Sequence, residues 1–90
     1  MKLPEMFKSI MWSYDFEKID PDTMESIVII NALKYGTLEH WRWVKNFYGE
    51  NRIRSVLAIY QANDIQPKTR SLIEKIFNFN QWNYAPRGSK

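Results

Sequence analysis

Apolar residues recur along much of the chain at the three- and four-residue spacing that places side chains on one face of an α-helix. Three separate segments show this spacing, with polar residues at most of the intervening positions. The three faces comprise Leu38, Trp41, Val44 and Tyr48, widened by Phe47; Ile53, Val56, Leu57 and Tyr60; and Leu72, Ile73, Ile76 and Phe77. The pattern therefore predicts three amphipathic helices that share one core.

A fourth segment, residues 27–33, is apolar on more than one side. Its β-branched residues also suit a strand, but strong helix start and stop signals flank it. We therefore interpret it as a buried helix. A helix that is apolar nearly all round lies at the centre of a bundle.

Capping residues, prolines and glycines set the predicted boundaries. Asp20 and Pro21 are typical of a helix start, and Gly36 is typical of a left-handed helix stop. Together with similar signals at Thr37, Gly49, Asn63-Asp64 and Pro67, they predict helices over 4–11, 21–35, 38–48, 50–61 and 67–79. We predict an all-α fold, a compact bundle of four to five short helices. It forms a single domain over residues 1–84, and residues 85–90 form a frayed tail.

The composition narrows the classes of function. The chain has 90 residues, no cysteine and three isolated glycines. This excludes disulfide frameworks, Cys-ligated metal sites, thiol nucleophiles and glycine-rich phosphate loops. Such a short chain buries only about 60–65% of its unfolded surface, so it needs an aromatic core or a partner. Rings alternate with amides near the C-terminus, which predicts that Trp82 and Tyr84 fold back over Trp12 and Tyr14.

Charge is unevenly distributed along the chain. Residues 1–25 carry three lysines against six acidic residues, a net charge of −3, whereas residues 26–90 carry ten basic against four acidic residues, a net charge of +6. This asymmetry is typical of a partner-facing surface or of a weak nucleic-acid footprint. Charged residues interrupt any signal-peptide pattern, and no apolar run approaches the roughly 20 residues of a membrane span. We therefore expect a cytoplasmic protein without a membrane partner.

Candidates for catalysis or metal binding are few. His40 is the only histidine, and no nucleophile or carboxylate can be paired with it from spacing alone. The acidic cluster of Glu17, Asp20, Asp22 and Glu25 lacks the glycine turn and distal glutamate of a calcium loop, so we interpret it as helix capping. The sequence predicts no catalytic, cofactor-binding or metal-ligating residue, and a protein that is not an enzyme.

The second amphipathic helix carries more rings than one narrow face can hold. Trp41 and Trp43 project about 200° apart on a helix. With Trp41 in the core, Trp43 and Phe47 form either an exposed patch, bordered by Arg42 and Lys45, or a second face buried under the aromatic tail. An exposed patch of this kind has the composition of a protein-binding hot spot. The predicted partner-binding residues are therefore Trp43, Phe47, Arg42 and Lys45.

DNA binding is the second hypothesis. Residues 52–77 are predicted to form a helix, a short turn and a helix, as in a helix-turn-helix. The predicted DNA-binding residues are Gln66, Lys68, Thr69 and Arg70, at the start of the second helix, with Arg52 and Arg54 on the first. This alternative describes a regulator that binds its own upstream DNA.

Several short motifs suggest a family. They are Met11-Trp12-Ser13-Tyr14-Asp15 with Lys18-Ile19-Asp20, Leu33-Lys34-Tyr35-Gly36 with Glu39-His40-Trp41, Phe47-Tyr48-Gly49, and Gln66-Pro67-Lys68-Thr69. Together they resemble a family of small uncharacterised bacterial helical proteins, often encoded beside nucleotidyltransferase-type abortive-infection toxins. The resemblance covers most of residues 7–75. It implies an antitoxin-like or regulatory role, with a toxin or a second copy of the chain as the protein partner.

Overall fold

The computed structural model describes residues 3–84, and these fold into four α-helices joined by short connections. The helices are α1 (Glu25–Tyr35), α2 (Leu38–Tyr48), α3 (Glu50–Ile59) and α4 (Pro67–Phe77). Short 3-10 helices cover Glu5–Ile10, Phe16–Lys18 and Ala62–Asp64. No strand forms within residues 3–84, so the predicted all-α bundle is confirmed.

Helix α1 lies at the centre of the bundle. It packs against α2, α3, α4 and the first 3-10 helix. Its buried side chains come from more than one side of the helix, as its apolar composition predicts: Val28, Ile29, Ile30, Ala32 and Leu33. Burial of each large aliphatic side chain stabilises the fold by about 1.5–3 kcal/mol, and α1 contributes more buried apolar side chains than any other helix of residues 3–84.

The predicted start of this helix at Pro21 is wrong, because residues 21–23 form a turn and α1 begins at Glu25. The Asp20 side chain accepts a hydrogen bond from the Asp22 backbone N–H at 3.0 Å. Pro21 is buried, and its carbonyl accepts a hydrogen bond from the Tyr48 hydroxyl at 2.6 Å. Asp20 and Pro21 therefore make a turn whose carbonyl binds α2, and the helix starts one turn later.

The junction between α1 and α2 depends on close packing at Gly36. The prediction of a left-handed stop there is wrong, since Gly36 has a φ of −86°. A Cβ on Gly36 would lie 2.6 Å from the Ala32 carbonyl oxygen and 2.7 Å from the His40 Cβ. The glycine is needed because the chain turns tightly against the first turn of α2.

The other predicted boundaries are close to those in the structure. Gly49 ends α2 and precedes α3 with a φ of +88°, a conformation that favours glycine. Helix α3 ends at Ile59, two residues before its predicted end. Helix α4 ends at Phe77 instead of residue 79, because Asn78 takes a left-handed conformation and the Phe79 N–H donates to the Glu74 carbonyl. This is a Schellman-type termination, for which asparagine can replace glycine.

The C-terminal segment follows the connection between α3 and α4. The Trp82 indole N–H donates to Glu74 at 2.6 Å, and its ring packs edge-on against Phe79. The Asn83 carbonyl accepts the Ala62 N–H at 2.9 Å. The predicted return of Trp82 and Tyr84 to Trp12 and Tyr14 is therefore wrong. The expected frayed tail, residues 85–90, lies outside the described residues.

Candidate functional site

The aromatic half of the predicted partner-binding patch is half-buried in the structure. Trp43 stacks on Phe47, with ring centroids 4.7 Å apart and planes 13° apart. Phe7, from the first 3-10 helix, packs edge-on against Trp43 at 5.1 Å. The rings of Trp43 and Phe47 both pack against the hydrophobic core. The N-terminal segment, and not the aromatic tail, covers this side of α2.

Arg42 and Lys45 lie on another side of α2. Positions two apart on a helix differ by about 160° in direction, so Lys45 and Phe47 project nearly opposite ways. The structure therefore does not bring the four predicted partner-binding residues onto one face. Instead, Arg42 and Lys45 line a groove between α2 and α4.

The α2–α4 groove has a volume of about 220 Å³. Its wall on α2 includes Leu38, which is 61% exposed. Leu38 was predicted to lie in the core with Trp41, and this is wrong. Since Leu38 precedes the buried Val44 by six positions, it projects about 120° away from it around the helix. The lining is completed by apolar side chains from both helices, namely Trp41, Ile76 and Phe77.

The charged residues that line this groove, Arg42 and Lys45, are both basic. Arg42 is exposed and forms no ion pair within residues 3–84. Lys45 pairs with Glu50 at 3.2 Å. Hydrogen bonds from Lys45 and Arg54 hold the pKa of Glu50 below its usual value. No acidic side chain lines the groove itself.

Helix α4 extends the same surface. Leu72 is 44% exposed and lies one turn before Ile76, on the same side of α4. Lys68 and Lys75 lie one turn before and one turn after Leu72, and both are exposed. The sequence pattern placed Leu72 and Ile76 on the apolar face of this helix. Ile76 packs partly against the core as well as lining the groove, whereas Leu72 is exposed. The sequence feature that could have indicated the exposure of Leu72 is the spacing of Lys68 and Lys75, which places one lysine a turn before it and the other a turn after it.

The three arginines among the predicted DNA-binding residues take part in internal contacts. Arg52 pairs with Glu25 and lies over the Tyr48 ring. Arg54 donates to the Phe77 carbonyl at 2.9 Å and to the side chains of Glu50 and Asn51. The contacts with Glu25, Tyr48 and Phe77 tie α3 to α1, α2 and α4, whereas those with Glu50 and Asn51 lie within α3. Both arginines therefore have structural roles.

Arg70 closes the connection between α3 and α4. Its guanidinium donates to the Ala62 carbonyl at 2.6 Å and to the Ile65 carbonyl at 2.8 Å. It also lies beneath the Tyr84 ring. Arginine suits this position because its several N–H groups bind two carbonyls at once.

The remaining predicted DNA-binding residues lie at the start of α4. Gln66 and Lys68 are exposed, whereas Thr69 is half-buried. Gln66 and Thr69 line a small groove against Lys34 and Tyr35, at the end of α1. Of the six predicted residues, only Gln66 and Lys68 are exposed and form no side-chain hydrogen bond or ion pair within residues 3–84.

His40 has a structural position. It is 5% exposed. Its Nδ1 accepts the Thr37 backbone N–H at 2.9 Å, and its Nε2 donates to the Met6 carbonyl at 2.7 Å. The predicted cap at Thr37 is thus a capping box in which histidine replaces the usual glutamate. Both ring nitrogens are used, and the ring packs edge-on against Phe7.

The acidic residues near α1 are engaged in turns and ion pairs. Asp15 accepts the Glu17 backbone N–H, Asp20 accepts the Asp22 N–H, and Glu25 pairs with Arg52. Over residues 3–84, no three Asp, Glu or His side chains cluster closely enough to hold a metal ion.

None of the helices in this part of the chain has the length and apolarity needed to cross a membrane.

Comparison with known proteins identifies the family but no annotated relative. A search of curated proteins and a search of solved structures found no match. The model of one protein family, DUF6922, a family of unknown function, matches residues 6–57. This range runs from the first 3-10 helix through most of α3 and stops before α4. Because the match covers more than half of the chain, the protein belongs to DUF6922.

Proposed function

We propose that this chain is a non-enzymatic protein-interaction module that binds an acidic, amphipathic segment of a partner in the α2–α4 groove. The observation that carries the proposal is the exposed Leu38 at the edge of an apolar groove bordered by Arg42 and Lys45. On the basis of the family resemblance, we further propose an antitoxin-like role, in which the partner is a toxin.

The composition of the groove favours a peptide segment over a small polar substrate. Its walls are mainly aliphatic and aromatic, and its polar groups are cations at the rim. An amphipathic helix would place apolar side chains against Leu38 and Ile76 and carboxylates near Arg42. A catalytic reading has little support, because His40 is buried and both of its ring nitrogens are hydrogen-bonded.

Apolar contact and charge would contribute differently to binding. Full burial of a leucine side chain contributes about 1.5–3 kcal/mol, whereas exposed ion pairs contribute about 0.2–1 kcal/mol each. Leu38 would therefore account for more of the affinity, and Arg42 would mainly favour acidic partners and accelerate association.

The test is affinity capture of the full chain from its native host, with the partner identified by mass spectrometry. The double variant Leu38→Asp with Arg42→Glu should lose the partner, because it removes the apolar anchor and reverses the charge at the groove. Lys18→Glu is the matched control, since Lys18 is an exposed lysine distant in sequence from both groove helices. Circular dichroism should show the same helicity in all three proteins. Equal recovery of the partner by both variants would rule out the groove as the binding site.

A regulatory DNA-binding role is the second candidate. It is favoured by Lys68, an exposed cation in the first turn of α4 that forms no ion pair within residues 3–84 and lies two positions after the exposed Gln66. Binding to the upstream DNA of the chain's own gene would then weaken steeply with salt, and Lys68→Glu would weaken it further. Binding that is absent at low salt, or unchanged by Lys68→Glu, would contradict this candidate.

A further inference from the structure

One buried hydrogen-bond donor has no partner within residues 3–84. Trp41, on α2, is 6% exposed, and its indole Nε1 is the only buried side-chain nitrogen or oxygen in this part of the chain that makes no hydrogen bond. Buried polar groups are almost always hydrogen-bonded, because an unpaired donor has lost its contacts with water and gained none in return. The buried His40 shows the usual case, since both of its ring nitrogens are bonded. An acceptor brought by a bound molecule would remove the cost at Trp41.

Trp41 lines the α2–α4 groove, which the proposed function assigns to the partner. It lies three positions after Leu38 and four positions before Lys45, on the stripe of α2 that forms one wall. Its ring lies 5.9 Å from that of Phe77, on the opposite wall. No side chain that lines the groove carries an acceptor, because indole, guanidinium and ammonium groups only donate and the remaining side chains are apolar. The groove therefore cannot satisfy the Trp41 N–H from its own side chains.

Arg42 supplies a second donor beside Trp41. It lines the same groove, is exposed and forms no ion pair within residues 3–84. Lys45, by contrast, already pairs with Glu50 at 3.2 Å. A carboxylate has two oxygens that accept hydrogen bonds from several donors, and it has no donor of its own. One carboxylate could therefore accept from Trp41 and pair with Arg42 at the same time.

We propose that Trp41 determines specificity in this groove by donating its indole N–H to a carboxylate of the bound segment, with Arg42 paired to the same carboxylate. The inference rests on the proposed function, and it names the group that the groove recognises. In an amphipathic helix the backbone carbonyls are bonded within the helix, so the acceptor comes from a side chain. Since Nε1 is covered in the free chain, the carboxylate has to displace a side chain at the rim. Leu38 and Arg42 are exposed and are the rim side chains that can move most easily.

The direct test follows the indole N–H signals of the full chain by nuclear magnetic resonance. The probe is a blocked amphipathic helical peptide of leucine, alanine and glutamate, and the matched probe has glutamine in place of every glutamate. The Trp41 indole proton should move downfield with the glutamate peptide, as it does when an N–H donates to a carboxylate. The Trp82 signal should stay unchanged, because the Trp82 N–H already donates to Glu74.

Trp41→Phe separates the effect of the indole N–H from that of the Arg42 charge. The natural chain should bind the glutamate peptide at least about tenfold more tightly than the glutamine peptide, because hydrogen bonds to charged groups are among the strongest. In Trp41→Phe this ratio should fall to about threefold, the effect of an exposed ion pair. Trp43→Phe is the matched control, since it makes the same change on the other side of α2, against Phe47, and it should keep the full ratio. Circular dichroism reports whether both variants fold.

The outcomes distinguish the role of Trp41 from the proposed function. Suppose that the two peptides bind with equal affinity and the Trp41 signal does not move, while Leu38→Asp with Arg42→Glu abolishes binding. The groove is then the binding site, and the role of Trp41 is contradicted. Binding that this double variant leaves unchanged, or no binding of the glutamate peptide, would contradict both proposals. The Trp41 signal is read in the natural chain, so it decides the question even if Trp41→Phe does not fold.

Discussion

At the scale of single residues, two glycines end helices for different physical reasons. Gly49 has a positive φ, and a Cβ there would have no heavy atom within 4 Å. Gly36 has an ordinary φ, but a Cβ there would clash with backbone and with His40. Sequence alone treats the two as equivalent stop signals, because the difference depends on how close α2 lies to the end of α1.

Gly36→Ala should lower the free energy of unfolding by about 1–3 kcal/mol, the usual range for overpacking. The Ala32 carbonyl is backbone and cannot rotate away, so the clash requires α1 and α2 to separate. Urea denaturation followed by circular dichroism measures the change. Ser71→Ala, at an exposed position of α4, is the control and should remain within about 0.5 kcal/mol of the natural chain. Equal stability of Gly36→Ala and Ser71→Ala would show that the junction is looser than described.

Tyr48 links pH to stability. Burial raises the pKa of its hydroxyl well above 10, and the nearby Glu25 carboxylate raises it further. A group whose pKa is higher in the folded state stabilises the fold below its unfolded pKa, about 10 for tyrosine. This stabilisation is lost as the pH rises above that value, because only the unfolded chain then ionises freely.

The alkaline loss of stability should therefore be smaller in Tyr48→Phe than in the natural chain. At pH 7 the variant should be less stable by about 0.5–1.5 kcal/mol, because the hydrogen bond to the Pro21 carbonyl is lost. Urea denaturation between pH 8 and about pH 11 measures both effects. Parallel curves for the two proteins across this range would contradict the role of Tyr48.

At the scale of elements, His40 joins α2 to the first 3-10 helix. Its two hydrogen bonds reach Thr37, at the start of α2, and Met6, within Glu5–Ile10. Through Phe7, the same short helix covers Trp43. The N-terminal segment is thus held to the bundle by the buried His40 imidazole, by a hydrogen bond from the Asn31 amide to the Ile10 carbonyl at 3.0 Å, and by the packing of Phe7 and Ile10.

His40→Ala should destabilise the chain by about 2–4 kcal/mol, since it removes both hydrogen bonds and buried packing. His40→Asn should cost less, because a short amide can still accept the Thr37 N–H but cannot reach Met6. Hydrogen exchange measures where the effect lies. In both variants the amides of residues 5–10 should exchange faster, and those of α3 should exchange faster only in proportion to the global loss of stability. Equal acceleration of amide exchange along the whole chain would contradict a local link between His40 and residues 5–10.

At the scale of the whole molecule, several helix boundaries were predicted correctly from local signals, whereas the start at Pro21, the left-handed stop at Gly36 and the packing directions of side chains were not. The cap at Thr37, the stop at Gly49 and the start at Pro67 depend on neighbouring residues, so the sequence reveals them. The exposure of Leu38 and the partial burial of Trp43 depend on contacts with residues that are distant in sequence. Periodicity identifies an apolar face on α2, but this face is wider than the part of α2 that packs against the core.

Contacts between residues distant in sequence also explain why the candidate site was predicted only in part. Arg42 and Lys45 could be selected from sequence as exposed cations on α2. The apolar residues on the opposite wall of the groove, Ile76 and Phe77, come from α4, more than 30 positions away, and no local pattern links the two helices. Likewise, the carbonyl partners of Arg70 become visible only when the connection between α3 and α4 is folded.

The central claim is that the α2–α4 groove binds the partner protein. The most direct test is the dissociation constant of the purified chain with its captured partner, compared with that of the double variant Leu38→Asp with Arg42→Glu. Loss of the leucine anchor and burial of an unpaired carboxylate should together weaken binding at least about a hundredfold. Lys18→Glu should bind within about threefold of the natural chain. A double variant that binds as tightly as Lys18→Glu would contradict the account.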